Sequence, residues 1–161
     1  MTILGMPCNM HGMPSKSPEL PRDESLGYQV NHLARLLAAA LRERIEPHGV
    51  VPGQFAQLLA LLERDDISQA ELCREVQIDQ STMTHTLRRM ERDGLVSRSS
   101  DPGDQRRSLI RLTPRARELA PTLVGAAREV NAIAATGVSS ADLDTCMSVL
   151  AAAIDNLQGT S

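Results

Sequence analysis

Apolar residues recur along the chain with the three-and-four spacing of helices, and prolines and glycines separate the repeats. A long first helix is predicted over residues 26–46, where Pro47 and Gly49 should end it. Its apolar stripe consists of Leu26, Val30, Leu33, Leu37 and Leu41. Pro52 suits the first position of a second helix. The core face predicted for this second helix consists of Phe55, Leu58, Leu59 and Leu62.

Two short helices joined by a tight turn are predicted over residues 68–95. In the first of them, Ser68 should be the N-cap and Glu71 should complete a capping box. Ala70 and Leu72 should face inward. Two helices at this spacing are typical of a DNA-reading helix-turn-helix.

Residues 77–79 form the predicted turn, and Asp79 can cap the second helix by accepting backbone N–H bonds. Gly94 should close this helix in a left-handed conformation. Its buried stripe is predicted to consist of Met83, Leu87 and Met90.

The opposite face of the second helix carries no acidic residue. The candidate DNA-contacting residues on this helix are Ser81, Thr82, Thr84, His85, Arg88, Arg89 and Arg92. Hydroxyls and an imidazole can meet base edges, and arginines can also meet phosphates. We expect the bases to be faced by Ser81, Thr84, His85 and Arg88, and the phosphates by Arg89 and Arg92. In an isolated helix such a face would more simply be solvated, but the neighbouring segments favour DNA binding.

After the second helix the pattern predicts a β-hairpin with strands at residues 95–98 and 108–112. Pro102 and Gly103 occupy the second and third positions of a type II turn at its tip. Such a hairpin would form a wing beside the reading helix.

Cations concentrate around the predicted wing. Arg106 and Arg107 follow its tip, and Asp104 is close enough in sequence to pair with Arg106. An arginine projecting from such a hairpin can enter the minor groove. Residues 88–117 hold nine of the sixteen arginines against four acids, although the net charge of the whole chain is -3. This distribution favours a site-specific binder over a protein that coats nucleic acid nonspecifically.

Two further helices are predicted after the hairpin. Thr113 and Pro114 can cap and start the first, and Gly137 should break it. Its apolar side consists of Leu119, Leu123, Ala127, Val130 and Ile133. Ser139 should cap the last helix, whose apolar seam has no partner inside a winged module. That seam consists of Leu143, Met147, Leu150, Ile154 and Leu157.

The composition favours a mainly helical protein. Hydrophobic residues make up 42% of the 161 residues, but Tyr and Phe occur once each and Trp is absent. A core of Leu, Ala, Val, Ile and Met favours packed helices over a β-sandwich. Residues 1–22 hold four of the nine prolines and are expected to be a disordered tail.

A small-molecule site can be suggested on the first helix. Tyr28, His32 and Arg35 share one side of it at i, i+4 and i+7. A ring, an imidazole and a guanidinium could hold a small aromatic carboxylate by stacking and charge-assisted hydrogen bonds. The alternative is the ordinary polar face of an interface helix, because periodicity alone does not identify a pocket.

The sequence contains little that favours an enzyme. There is no phosphate-binding glycine loop and no Gly-x-Ser-x-Gly motif, and the four histidines lack paired metal-binding spacing. Three cysteines without a CxxC pair predict neither a disulfide framework nor a zinc ribbon. We therefore expect no cofactor and no metal. No signal peptide or membrane-spanning stretch is recognisable, so a cytoplasmic location is predicted.

The order of these segments resembles the MarR family (multiple antibiotic resistance regulators) over residues 26–157. The most specific stretch is DPGDQRRSLIRLTPRA, which has the family's Asp-x-Arg at Asp104 and Arg106 and its Leu-Thr-x-x at residues 112–115. PGQF at residues 52–55 and the stretch DQSTMTHTLRRMERDGLV also match closely.

This resemblance implies a mainly α fold with a β-hairpin wing, in which residues 50–114 are a winged helix-turn-helix DNA-binding domain. Residues 23–49 and 115–158 would form a helical dimerisation region. The implied function is that of a homodimeric repressor on a palindromic operator in double-stranded DNA. A phenol or small aromatic acid would release the DNA by entering the cleft between the dimerisation helices and the reading lobe.

The sequence departs from the family pattern at three positions. His85 stands where arginine is frequent, which should change the base preference and could add pH dependence. Val51 replaces a capping threonine, and Cys8 lies in the tail without the helical setting of a peroxide-sensing cysteine. A thiol- or metal-responsive regulator of the same fold and a winged-helix protein-interaction module remain the alternatives.

Overall fold

The structure is a computed structural model that describes residues 21–100, 103 and 108–159. Its helices are α1 (Leu26–Ile45), α2 (Pro52–Glu63), α3 (Gln69–Val76), α4 (Gln80–Arg92), α5 (Pro114–Ala134) and α6 (Ser140–Gln158). Its strands are β1 (Ile67–Ser68), β2 (Val96–Ser100) and β3 (Ser108–Leu112), and a 3-10 turn spans Glu46–His48. The described residues divide into two units, with the boundary between Leu33 and Ala34. The predicted mainly helical fold with a wing is confirmed.

The sheet contains one strand more than the sequence indicated. β2 and β3 form the predicted antiparallel hairpin, with Val96 opposite Leu112. β1 pairs with the other edge of β3, with Ile67 opposite Ile110, so the strand order is β1-β3-β2. The prediction of a hairpin alone was wrong in this respect, because a strand of two residues has no periodicity to detect.

The helix-turn-helix packs on one apolar core in the second unit. Met83, Leu87 and Met90 of α4 are all 0% exposed, which confirms the predicted stripe. They belong to one cluster with residues from α1, α2, α3, α5 and the three strands. Its largest members outside α4 are Ile45, Leu58, Leu61, Ile67, Leu72, Leu95, Ile110, Leu112 and Leu123. The buried stripe leaves the opposite side of α4 in solvent.

The core face of α2 differs from the predicted one. Its buried residues are Gln54, Gln57, Leu58 and Leu61. By contrast, Leu59 and Leu62 are 36% and 38% exposed, and Phe55 is half-buried. Leu58 is buried as predicted, but hydropathy counts glutamine as polar, so the predicted face was displaced by one residue from the observed one.

The start of α3 follows the prediction, but one of its side chains does not. The Ser68 hydroxyl accepts from the backbone N–H of Glu71 at 3.3 Å, and the Glu71 carboxylate accepts from that of Ser68 at 2.9 Å. Leu72 and Cys73 are buried, whereas Ala70 is exposed. Two positions apart on a helix differ by about 200°, so Ala70 and Leu72 could not both face inward. Burial raises the pKa of the Cys73 thiol, which favours its protonated form.

The long helices carry exposed apolar side chains. α6 has no buried residue in the described part of the chain. On α1, α5 and α6 the exposed apolar residues include Leu26, Val30, Leu33, Leu36, Ile133, Leu143, Met147, Val149, Ile154 and Leu157. Most of them belong to the seams predicted from the sequence. Among the described residues, no helix is both long and apolar enough to span a membrane.

Candidate nucleic-acid interface

Asp79 is the N-cap of α4. Its carboxylate accepts the backbone N–H of Thr82 at 2.8 Å, which confirms the predicted cap. The hydroxyls of Ser81 and Thr82 also donate to it, at 2.5 and 2.6 Å. These bonds, with that of Ser81 the strongest cause, hold the pKa of Asp79 well below its usual range. Two of the predicted DNA-contacting hydroxyls thus direct their protons at an acid of their own helix.

Thr84 is half-buried and bonded on both sides. Its hydroxyl donates to the carbonyl of Gln80 at 2.7 Å and accepts from Nε2 of Gln69, the first residue of α3, at 2.8 Å. Oε1 of Gln69 lies 3.4 Å from a guanidinium nitrogen of Arg98 on β2. Gln69 therefore joins α3, α4 and the wing. The sequence pattern did not single it out, because its partners lie on other elements.

His85 and Arg88 occupy the centre of the exposed face of α4. Three positions apart, they lie on one side of the helix. Among the described residues, neither side chain has a hydrogen-bond or ion-pair partner. Both are therefore free to meet a ligand.

Arg89 and Arg92 lie close to an acid at the C-terminal end of α4. Nε of Arg92 is 3.3 Å from one carboxylate oxygen of Asp93, and Nε of Arg89 is 3.9 Å from the other. Gly94 follows with a φ of +67°, as the left-handed cap requires. The two predicted phosphate-binding arginines thus share one negative neighbour.

Several arginines of residues 88–117 form ion pairs with acidic residues of the same chain. Besides the pairs with Asp93, ion pairs join Arg98 to Glu91, Arg111 to Asp66 and Arg117 to Asp65. The hydrogen bond from Arg111 to Asp66 spans 2.6 Å and raises the pKa of the arginine, which stays charged. The sequence count of nine arginines therefore overstates the positive charge available to DNA.

The start of α5 is tied to the end of α4. The Arg115 guanidinium donates to the backbone carbonyls of Asp93 and, at 3.1 Å, of His48. The Thr113 hydroxyl donates to the carbonyl of Gly94 at 2.7 Å. Cationic and hydroxyl groups here satisfy carbonyls that a helix end leaves open. The sequence predicted Thr113 as a cap of α5 but did not reveal the contacts of Arg115.

The wing tip lies outside the described residues. This applies to Asp101, Pro102, Asp104, Arg106 and Arg107. The predicted type II turn, the pairing of Asp104 with Arg106 and the minor-groove role of the two arginines therefore stay predictions. The same holds for Cys8 and the predicted tail up to residue 20.

The predicted ligand-binding side chains lie on the surface of α1. Tyr28, His32 and Arg35 are all exposed. The ring centroids of Tyr28 and His32 are 6.0 Å apart, and the Arg22 guanidinium lies 5.8 Å from the Tyr28 ring centroid. Their role in ligand binding stays a prediction.

A cavity of about 300 Å³ lies in the second unit, between the C-terminal half of α1 and helices α2 and α5. It is lined by Leu37, Ala38, Leu41, Pro52, Phe55, Leu59, Ala127, Val130 and Asn131. All of these residues except Asn131 have apolar side chains. A small cavity with one polar group suits a compact apolar ligand that carries a hydrogen-bonding substituent.

The alternative drawn from the sequence was a regulator that responds to a metal ion or to oxidation of a thiol. Within the described ranges, no group of three His, Cys, Asp or Glu side chains could hold a metal ion. Cys73 is buried and Cys146 is exposed on α6.

Comparison with known proteins assigns the family. A MarR family profile matches residues 51–108. The HTH-type transcriptional repressor NicR of Pseudomonas putida is 26% identical over 147 residues, which cover 89% of this chain and 93% of NicR. A probable transcriptional regulator from Pseudomonas aeruginosa is 32% identical, with a TM-score of 0.73 over 80% of this chain and 96% of that one.

A third similar protein is Bordetella bronchiseptica BpsR, whose DNA binding is regulated by 6-hydroxynicotinic acid. It is 24% identical, with a TM-score of 0.76 over 85% of this chain and 98% of that one, and at this identity the likeness concerns the fold. The profile match and the relatives that span most of the chain agree with the helix-turn-helix and wing described above. The chain therefore belongs to the MarR family of transcriptional regulators, which are not enzymes.

Proposed function

We propose that the protein is a homodimeric repressor in which α4 reads a palindromic operator. The observation that carries this proposal is the exposed face of α4, where His85 and Arg88 stand about one turn apart without a described partner. An imidazole can donate to or accept from a base edge, and a guanidinium can donate two bonds to guanine. We assign the base contacts chiefly to these two residues.

The other polar residues of α4 take supporting roles in this proposal. Ser81 and Thr82 keep oxygen lone pairs that can accept from a base amino group while their protons point at Asp79. Arg89 and Arg92 together carry more charge than Asp93 neutralises, and we assign them to phosphates.

A second copy of the chain would cover the exposed seams of α1 and α6. Met147 and Leu157 are 60% and 75% exposed in the single chain, and burying such side chains favours association. Residues 23–49 and 115–158 would thus dimerise, and residues 50–114 would bind DNA. A two-fold dimer reads half-sites about 34 Å apart, which is one turn of duplex.

The wing supplies a second groove contact in this proposal. Arg106 and Arg107 follow β2 in the sequence and would enter the minor groove beside the half-site. Arg106→Ala should then weaken binding to an A·T-flanked site by about tenfold at matched salt. If the variant held every duplex as tightly as the parent, this role for Arg106 would be wrong.

We further propose that a small aromatic acid or phenol occupies the cavity between α1, α2 and α5 and releases the DNA. The apolar lining and the Asn131 amide suit a flat ring with one polar substituent. The regulation of BpsR by 6-hydroxynicotinic acid is a precedent in a protein of the same fold. Tyr28, His32 and Arg35 are the second candidate site, through stacking and charge pairing.

A thermal-shift screen of aromatic carboxylates and phenols separates the two candidate sites. A ligand that binds the folded protein raises its unfolding midpoint. Ala38→Phe should abolish the shift if the cavity is the site, whereas Arg35→Ala should abolish it if the exposed residues form the site. Both variants should keep DNA binding. The absence of a shift with every compound in the parent would contradict the proposed effector class.

The DNA-binding proposal itself is tested by selecting bound duplexes from a random-sequence pool. We expect an inverted repeat with half-site centres about 10 base pairs apart, bound by two chains. Occupancy of this duplex should fall steeply with salt, as phosphate contacts require. Enrichment of no sequence, or of a single half-site bound by one chain, would contradict the proposal.

A further inference from the structure

Gln54 is a buried amide whose two ends are both engaged. It lies in the first turn of α2 and is 1% exposed. Its Oε1 accepts the backbone N–H of Val51 at 3.1 Å, so its amide nitrogen must point the other way. There Nε2 donates to a carboxylate oxygen of Asp93 at 2.8 Å. One side chain thus connects the start of α2 to the end of α4.

Asp93 stands at the C-cap of α4, where the helix dipole disfavours an anion. Its partners compensate for this position. Gln54 donates to one carboxylate oxygen, and Arg92 and Arg89 approach the carboxylate from α4 itself. The Asp93 carboxylate therefore connects Gln54 to the two arginines that we assign to phosphates.

The apolar contacts of α4 do not by themselves fix its tilt. Met83, Leu87 and Met90 bury their side chains, but hydrophobic burial is not directional. A tilt of about 5° about one end of this helix, roughly 18 Å long, moves the other end by about 1.5 Å. Hydrogen bonds to base edges tolerate displacements of only a few tenths of an ångström. Directional contacts are therefore needed at both ends of α4. Gln69 supplies one near the N-terminal end.

We propose that Gln54 is a positioning residue for DNA recognition. Its hydrogen bond to Asp93 fixes the C-terminal end of α4, and through Asp93 it sets the direction of Arg89 and Arg92. This inference rests on the proposed DNA-reading role of α4. Gln54 itself is buried and does not touch DNA.

A reciprocal exchange tests this role. Gln54→Glu keeps an acceptor for the N–H of Val51 but sets a carboxylate against that of Asp93. Adding Asp93→Asn places an amide at position 93. This amide can donate to the carboxylate at position 54, so the hydrogen bond is restored with its direction reversed. Asp93→Asn alone keeps an acceptor for Gln54 and serves as the single-change control.

The readouts are affinity for the duplex that the parent selects from a random pool and affinity for an unselected duplex. Gln54→Glu should bind the selected duplex about tenfold more weakly, and the unselected duplex within about threefold of the parent. Asp93→Asn alone measures what loss of the Asp93 charge costs, and the double variant should bind the selected duplex within about threefold of it and more tightly than Gln54→Glu. Equal losses on both duplexes would indicate general unfolding and would overturn the proposal, as would no loss or no recovery.

Gln54→Met provides a second variant in case the paired carboxylates prevent folding. It keeps the length of the side chain and removes the hydrogen bond without adding charge, so the selected duplex should again lose about tenfold. Unchanged selectivity in Gln54→Met overturns the positioning role. If the parent itself selects no duplex, the DNA-reading proposal fails first, which is a distinct result.

Discussion

The amide nitrogen of Gln69 lies 2.8 Å from the hydroxyl oxygen of Thr84, which in turn donates its proton to the carbonyl of Gln80. Thr84 occupies the reading helix, but its hydroxyl is hydrogen-bonded within the protein. Its proton is not available to a base edge. The sequence-based expectation that Thr84 faces a base is therefore revised in our proposal to a contact that joins α3 to α4.

Thr84→Val should leave the base preference unchanged. It keeps the shape of the side chain but removes the contact by which Gln69 holds the N-terminal end of α4, so we expect affinity for the selected duplex to fall by up to about tenfold. Competition between the selected duplex and its single-base variants measures the preference. Thr84→Ser, which keeps the hydroxyl, is the matched control. A new preferred base in Thr84→Val would mean that Thr84 reads DNA directly.

Asp79→Asn should remove part of the acid sensitivity of the fold. The pKa of Asp79 is lowered in the folded protein, so its ionised form stabilises the fold above its ordinary pKa, and this stabilisation is lost as the pH falls through the folded value. Asparagine caps helices about equally well. The parent should therefore be the more stable protein at pH 7, by a margin that shrinks below about pH 4. A margin in unfolding midpoint that stays constant down to pH 2 would contradict this account.

Gly49→Ala should destabilise the junction between α1 and α2. Gly49 has a φ of +76°, and an added Cβ would lie 3.1 Å from a guanidinium nitrogen of Arg115. We expect a loss of about 1 to 2 kcal/mol in the free energy of unfolding. Gly53→Ala is the control, since nothing lies within 4 Å of its added Cβ in α2. The control should be neutral or gain about 0.5 to 1 kcal/mol, and equal effects of the two changes would contradict the assignment.

The local features of the helix-turn-helix were predictable from the sequence. The Ser68 and Asp79 caps, the Gly94 conformation and the Met83-containing stripe depend on residues within a few positions of each other. Short-range geometry of this kind is encoded directly in residue type and spacing. The exposure of His85 followed from the same periodicity.

Contacts between distant segments were not predictable in this way. Gln54 donates to Asp93, 39 positions away, and Arg115 donates to the carbonyl of His48, 67 positions away. β1 exists only because β3 pairs with it. Hydropathy periodicity reports neither the partner nor its distance, so the buried face of α2 was misassigned and the third strand was missed.

Met147→Glu should dissociate the proposed dimer. Met147 lies in the apolar seam of α6, and burying an unpaired carboxylate against a second copy would be strongly unfavourable. The dimer dissociation constant should rise by at least about a hundredfold. Sedimentation equilibrium measures it, and Thr145→Glu, on the other side of α6, should have little effect. A Met147→Glu protein that remains as dimeric as the parent would remove α6 from the interface.

The most direct test of the central claim compares two arginines that differ only in position. Arg88 lies on the exposed face of α4, and Arg128 is also exposed, on α5. Replacing either by alanine removes one positive charge, so general electrostatic attraction changes alike. At matched salt, Arg88→Ala should weaken binding to the selected duplex by about tenfold or more and relax selectivity at one position of each half-site. Arg128→Ala should stay within about twofold of the parent. Equal affinities of the two variants would contradict the assignment of α4 as the DNA-reading helix.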